Sequence, residues 1–321
     1  MSILRERSIC QEVIFSCLSA TQKAAIAAFE WIGKGDKHMA DDVAVNAMRE
    51  ELSKMAITGK VVIGEGEMDE APMLYIGEVL GRGKTEIKLD IAVDPLEGTT
   101  LCAKNLPNSL TTIAIAEAGS MLCAPDCYMN KIAAGEVFED GVLDLDNTPS
   151  SNLKNLARYK KCDVSDLTVV ILDRARHEDI IAHCRESGAR VTLISDGDVY
   201  GVIATTNLGM ADLYLGSGGA PEGVLAAAAL KTTGGFMMGR LLYENEAQKV
   251  RAKSMGMSDL NKKMTVSDMV KSDVVFCATG VTDGNMVHGV KKCKRKLMYS
   301  TESIVFNSIS GIQVIKEHVK F

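Results

Sequence analysis

The sequence predicts an α/β protein, with an α+β amino-terminal half and a carboxyl-terminal half of alternating strands and helices. Three observations carry that expectation. From residue 167 onward, LTVVILD, HEDIIAHCRESG, ARVTLIS, DGDVYGVIATT, ADLYLG and APEGVLAAAALKTTG alternate β-branched runs with helix-like stretches, as βαβ units do. Ahead of them, two helical stretches precede short apolar runs that end in turns. Finally, 321 residues at 46% hydrophobic content suffice for two domains or one large sandwich.

In chain order, TQKAAIAAFEWIG (21–33) reads as a helix stopped at Gly33, and KGDKHMAD as a polar connection. A second helix follows from the spacing of Val45, Met48, Leu52 and Met55. KVVIG, IKLDIAV and LTTIAIAE (110–117) are strand candidates. Around 144–161, DLDNTPSSNLKNLARYKK turns polar and carries a proline, which suggests a boundary between domain 1–155 and domain 156–321. The alternation beyond it predicts parallel strands, 241–275 reads as polar and helix-like, and SDVVFCATG returns to strand.

A net charge of −6 argues against a nucleic-acid partner, which requires a basic face for phosphates. The run KKCKRK (291–296) is better read as a solvated loop. Apolar runs fall short of the roughly 20 residues of a spanning helix, and MSILRERSIC lacks a signal-peptide core, so a cytoplasmic protein without membrane partners is expected. Nine scattered cysteines without a CxxC pair suit a reduced compartment; Cys123 and Cys127 alone are weak evidence for zinc.

Chemistry gathers in three places. In VVIGEGEMDE (61–70), Glu65, Glu67, Asp69 and Glu70 crowd the end of a strand. Alone, this is a solvated turn. In IAVDPLEGTT (91–100), Pro95 is expected to stop the ladder, leaving Asp94, Glu97 and Thr99 on a tight turn where a cap would need only one such group. In GSGGAPEGVLAAAALK (216–231), the glycines, Pro221 and Glu222 describe either a well-made helix start or a phosphate seat beside a carboxylate. If Glu65, Asp94, Glu97 and Glu222 meet, together with Asp41 from the second helix, five negative charges need cations. All-oxygen donors favour hard ions, Mg²⁺ or Mn²⁺, and two of them leave one negative charge. Such a set suits phosphoryl transfer by water, with Thr99 placed to orient or deprotonate it.

DPLEGTT with GGAPEG resembles the metal-dependent, lithium-sensitive sugar-phosphatase superfamily that includes inositol monophosphatase. More closely, VVIGEGEMDEAPMLYIGE, IAVDPLEGTT, APDCYM, DGDV and GSGGAPEGV, in order between about Thr21 and Gly284, resemble the class II fructose-1,6-bisphosphatases of bacteria. That resemblance implies a layered αβαβα sandwich with a metal-binding first domain and a substrate-binding second. It implies metal ligands at Asp41, Glu65, Asp94, Glu97 and Glu222, two or three Mn²⁺ or Mg²⁺ ions, and catalytic roles for Thr99 and Glu65. The sugar bisphosphate is then held by Glu97, Gly98 and Thr99, by Tyr128, Arg174 and Arg176, by Asp196 and Asp198, and by Gly219. The implied reaction is the gluconeogenic hydrolysis of D-fructose 1,6-bisphosphate to D-fructose 6-phosphate, in a homo-oligomer, dimer or tetramer. The chain departs from the family pattern at Ser19 and Gln22, where arginine and glutamate are common, and in the base-free stretch ESIVFNSISGIQV.

Three rival readings compete with this one, and the intact ligand set with Thr99 favours an enzyme. VLDLDNT (142–148) resembles a DxDxT nucleophile loop with Asp144 forming an aspartyl-phosphate, but only Val142 and Leu143 precede it after EDG. A non-catalytic sugar-phosphate sensor would keep the fold without turnover. A phosphatase acting mainly on sedoheptulose 1,7-bisphosphate or an inositol phosphate would share the same ligands.

Overall fold

In a computed structural model of the chain, residues 3–66, 73–83, 88–139, 141–206, 208–293 and 298–320 are described. Glu67, Asp69 and Glu70 of the acidic run and Lys294, Arg295 and Lys296 of the basic run lie outside these residues. The chain divides into two units, Met1–Cys123 with Val270–Phe321, and Ala124–Met269. The sequence had suggested a single change near residue 155, a position that falls inside a helix of the second unit.

In the first unit, α1 (Arg7–Phe29) starts well before the expected residue 21. Cys10, Val13, Cys17, Ala20, Ala24 and Ala28 recur every three or four positions and are all buried, so one face is apolar from the first turns onward. α2 (Lys37–Leu52) begins where Asp36 accepts the Met39 N–H at 3.0 Å, an N-cap that satisfies an otherwise orphaned donor. The sheet is built on β1 (Thr58–Ile63), β2 (Val79–Leu80), β3 (Lys88–Glu97) and β4 (Leu110–Glu117). β3 carries on through Pro95 to Glu97 rather than stopping at it. The proline sits where the register with β4 slips, between the pairs Asp94–Thr112 and Glu97–Leu110, so its missing N–H falls at an irregularity. The short α3 (Thr99–Ala103) follows, entered through Gly98 at φ +75°.

β4 is buried on both faces and lies antiparallel to β3, whereas β1 and β3 run parallel. The carboxyl-terminal segment returns to this same sheet, which explains why the unit is discontinuous. β11 (Val274–Gly280) pairs antiparallel with β4, and β13 (Met298–Asn307) joins β11 to β12 (Lys291–Cys293) and β14 (Gly311–Lys320). Met48, Leu52, Val61, Ile91, Ile113, Ile115 and Cys277 form part of one core with α1.

In the second unit the sheet runs β10–β9–β5–β8–β6–β7. Its strands are β5 (Tyr128–Ala134), β6 (Thr168–Leu172), β7 (Arg190–Ile194), β8 (Leu213–Gly219), β9 (Phe236–Leu242) and β10 (Met264–Thr265). Around it lie α4 (Pro149–Lys160), α5 (Glu178–Glu186), α6 (Asp198–Ile203), α7 (Ala220–Thr233), α8 (Glu246–Ser254) and α9 (Val266–Met269). β6, β7 and β8 are parallel as expected, but β5 and β9 pair antiparallel, so the sheet is mixed. The polar texture at 144–161 is explained by a loop followed by a helix start. The Thr148 hydroxyl accepts the Ser151 N–H at 3.2 Å, and Pro149 takes the first helical turn, where no N–H is needed.

Candidate active site

In the first unit, acidic residues gather at the carboxyl ends of the parallel strands β1 and β3. Their register pairs Ile63 with Ala92, so Glu65 and Asp94 each lie two residues beyond a matched pair. The backbone N–H of Glu65 donates to the Leu74 carbonyl at 3.0 Å. Gly64 permits that close approach, because a Cβ there would overlap the Leu74 oxygen. Glu78 pins the far side of this loop: its carboxylate accepts the Leu74 N–H at 2.6 Å and Arg49 Nε at 2.8 Å. Neither Glu78 nor Arg49 stood out in the sequence, because a buried glutamate in a loop looks like any other acidic turn residue.

Asp41, on α2, brings its carboxyl into hydrogen-bonding contact with that of Glu65. Burial foremost, and then the neighbouring Asp42 charge, push Asp41 up to about 6; His38 and the Glu65 contact pull the other way. On the β3 turn, Asp94 accepts the Leu96 N–H at 3.0 Å, Glu97 is buried, and Thr99 is half-buried just past left-handed Gly98. Among the described residues, no three Asp, Glu, His or Cys side chains stand close enough to hold one ion by themselves. What the unit offers is a set of oxygen donors in which two carboxyls meet. A hard divalent cation fits it, because such a cation relieves the repulsion and burial cost that raise Asp41.

The second unit brings its expected residues to one end of the sheet. Tyr128 and Gly219 are register partners in β5 and β8, and the Arg176 guanidinium lies 4.9 Å from the Tyr128 ring centre. Arg174 Nη2 pairs with Asp196 at 3.3 Å. Asp198 is buried and pairs with Lys131, whose side chain is itself 1% exposed and whose ammonium also donates to the Gly219 carbonyl at 2.8 Å. One Asp198 oxygen is therefore committed within the protein. A Cβ at Gly218 would overlap the Asp198 carboxylate, and one at Gly219 would overlap Glu222, which is why this turn is glycine-rich. Glu222 Oε2 is buried without a hydrogen-bond partner among the described residues. Burial, and then the Asp198 charge, push this carboxyl up to about 7, against the pull of Lys131. Lys131 escaped the sequence reading because, in YMNKIAA, a lysine and an asparagine mask the strand pattern.

The DLDNT loop has a structural explanation. Asp144 follows no strand and takes two 2.8 Å contacts from Lys263, while Arg240 holds Asp146. Gln22, one of the departures from the family pattern, donates to Glu317 at 2.7 Å, and Ser19 donates to Glu51 at 2.8 Å.

An α/β chain with oxygen-only acids at one strand end and a guanidinium open to anions at another has the chemistry of a phosphoric-ester hydrolase. The family model described as bacterial fructose-1,6-bisphosphatase, glpX-encoded, matches residues 11–319, and the chain belongs to that family. It is 42% identical over 299 residues to the D-fructose 1,6-bisphosphatase class 2/sedoheptulose 1,7-bisphosphatase of Synechococcus sp. (strain JA-3-3Ab), covering 85% of this chain and 86% of that one. With the protein of the same name from Thermosynechococcus vestitus it shares 38% over 334 residues, covering 94% and 96%. Among solved structures, the extragenic suppressor protein suhB from Bartonella henselae aligns at a TM-score of 0.34 and 14% identity, over 60% of this chain and 71% of that one. That superposition is too loose to map one site onto the other. Among the described residues, no helix is long and apolar enough to cross a membrane.

Proposed function

We propose that the chain hydrolyses the 1-phosphate ester of D-fructose 1,6-bisphosphate, releasing D-fructose 6-phosphate and inorganic phosphate. The observation that carries this reading is the meeting of the Asp41 and Glu65 carboxyls beside the DPLEGTT turn, in a chain of the bacterial fructose-1,6-bisphosphatase family. Asp41, Glu65, Asp94, Glu97 and Glu222 are the proposed ligands of two or three divalent ions, Mn²⁺ or Mg²⁺. When bound, such ions supply Lewis acidity for the phosphoryl group and acidify the attacking water.

The chain's own residues do the rest. Thr99 orients the water, and its hydroxyl passes the water's proton on to the Glu65 carboxylate. The Glu97–Gly98–Thr99 turn seats the reacting phosphate. Tyr128, Arg174, Arg176 and Gly219 bind the remainder of the bisphosphate, and Asp196 and Asp198 accept from sugar hydroxyls. For Asp198 this uses the oxygen that Lys131 leaves over. The working protein is a cytoplasmic homo-oligomer, dimer or tetramer, by analogy with the family.

Phosphate release from a panel of sugar phosphates, with and without Mn²⁺, tests the reading. Metal-dependent release from fructose 1,6-bisphosphate is expected. Binding of that ester without release would make the protein a sensor. A second substrate, sedoheptulose 1,7-bisphosphate, is favoured by the name of the Synechococcus and Thermosynechococcus relatives, which covers both bisphosphates. Faster release from an inositol phosphate would overturn the choice of substrate.

A further inference from the structure

Arg174 and Arg176 lie two residues apart, yet their surroundings differ. Arg174 is compensated by Asp196 and also donates to the Ser195 carbonyl. Arg176 is exposed, and among the described residues no carboxylate pairs with it. Its Nε donates to Ser217 Oγ at 3.0 Å and its Nη2 to the Ser217 carbonyl at 2.8 Å. A guanidinium has five N–H groups, so three remain for a ligand, and both protein acceptors belong to one residue.

Ser217 is fixed in turn by His177, a buried imidazole. The Ser217 backbone N–H donates to His177 Nε2 at 2.9 Å, so Nε2 carries no proton. The proton sits on Nδ1, which donates to the Leu172 carbonyl at 2.8 Å. Ser217 Oγ stands 3.1 Å from the same Nε2; because that nitrogen has no proton to give, the hydroxyl donates to it while its oxygen accepts from Arg176. Gly216, at φ +147°, lets the ring approach β8 closely, since a Cβ there would press on it at 3.1 Å.

We infer that His177 and Ser217 are positioning residues that hold the Arg176 fork, through a one-directional hydrogen-bond chain anchored at Leu172, so that its remaining N–H groups grip a phosphate of the substrate. The inference rests on the proposed role of Arg176 as a phosphate ligand. An arginine free in solution loses much rotamer freedom when it binds; one already held on Tyr128 and Ser217 loses less, and its planar fork matches phosphate oxygens. None of Arg176, Ser217 and His177 acts on the reacting bond, so the effect belongs in KM rather than kcat.

The test is a double-mutant cycle on steady-state hydrolysis of fructose 1,6-bisphosphate by the full chain. Arg176→Met is expected to raise KM about a hundredfold and Ser217→Ala about tenfold, each with kcat kept within about twofold. The double variant is expected to be no worse than Arg176→Met alone, because the serine acts only through the arginine. His177→Gln, which keeps an acceptor near Nε2, should retain a lower KM than His177→Phe. Should His177→Phe not fold, the Ser217 cycle still decides. An unchanged KM in Arg176→Met overturns the assignment of Arg176 as a phosphate ligand. A raised KM there, with Ser217→Ala silent or additive, overturns the positioning chain alone.

Discussion

The two units handle acidity in opposite ways. In the second, two acids at the sheet end meet cations from the chain itself, Asp198 with Lys131 and Asp196 with Arg174, Glu222 stays buried with Oε2 lacking a hydrogen-bond partner among the described residues, and one guanidinium, Arg176, pairs with no carboxylate among them. In the first, the Asp41 and Glu65 carboxyls meet each other, and burial with the neighbouring Asp42 charge raises Asp41 to about 6. Acids already paired, beside a guanidinium with N–H groups to spare, suit that end to an anion. Carboxyls driven together are built to receive cations. The contrast suggests that metal affinity is written mainly in the first unit and phosphate affinity in the second.

The strongest way to break this contrast is to remove the acids of the first unit. Glu65→Gln and Asp94→Asn are expected to lower kcat/KM by about three orders of magnitude, the several kcal/mol that ion-assisted phosphoryl transfer supplies. In a melting experiment, Mn²⁺ should raise the Tm of the wild-type protein and leave that of Glu65→Gln nearly unmoved. Activity retained in both variants would remove the first unit from the chemistry.

Next in size is Lys131. Lys131→Met leaves the buried Asp198 carboxylate without its cation, which typically costs about 3–5 kcal/mol. Denaturant unfolding should show this loss, and Lys131→Met with Asp198→Leu should recover much of it. A single variant as stable as the wild type would mean that the pair is not an ionic anchor.

A smaller effect follows from His177. Burial foremost, with the Arg176 and Arg174 charges, holds its imidazole below the ordinary value of 6.5, while the bonds to Leu172 and Ser217 act the other way. A depressed folded value favours the neutral ring, so its contribution to stability is fully present above pH 6.5 and is lost as the pH falls from there toward the folded value. The wild-type Tm should therefore drop between pH 6.5 and 5 more steeply than that of His177→Gln. Parallel slopes would contradict this.

Much of this arrangement could be read from the sequence, for identifiable reasons. Segments whose contacts are local read well: β4 matches LTTIAIAE, and the order β6–α5–β7–α6–β8–α7 follows the alternation. The turns at Gly98 and Gly219 could be seen because glycine and proline mark them. Long-range pairing was invisible. Nothing in SDVVFCATG shows that it pairs with β4, far earlier in the chain, as well as with the following β13, so the discontinuous first unit could not be foreseen. β5 was hidden by Lys131, whose burial depends on an aspartate 67 residues away. His177 and Ser217 were likewise unremarkable until the fold stacked β6 against β8.

The smallest expected effect concerns the loop that mimics a nucleophile motif. Asp144→Asn should leave hydrolysis within about twofold of wild type and stability little changed, since it weakens a partly exposed pair with Lys263 and keeps an acceptor for the Asp146 N–H. A collapse of activity would point to an aspartyl-phosphate and away from hydrolysis by water.

Anomalous diffraction from crystals grown with Mn²⁺ bears most directly on the division of labour between the units. Manganese peaks bounded by the carboxylates of Asp41, Glu65, Asp94 and Glu97 are the expected result. Manganese bound elsewhere, with those four carboxylates bare in an enzyme that still releases phosphate, would contradict it.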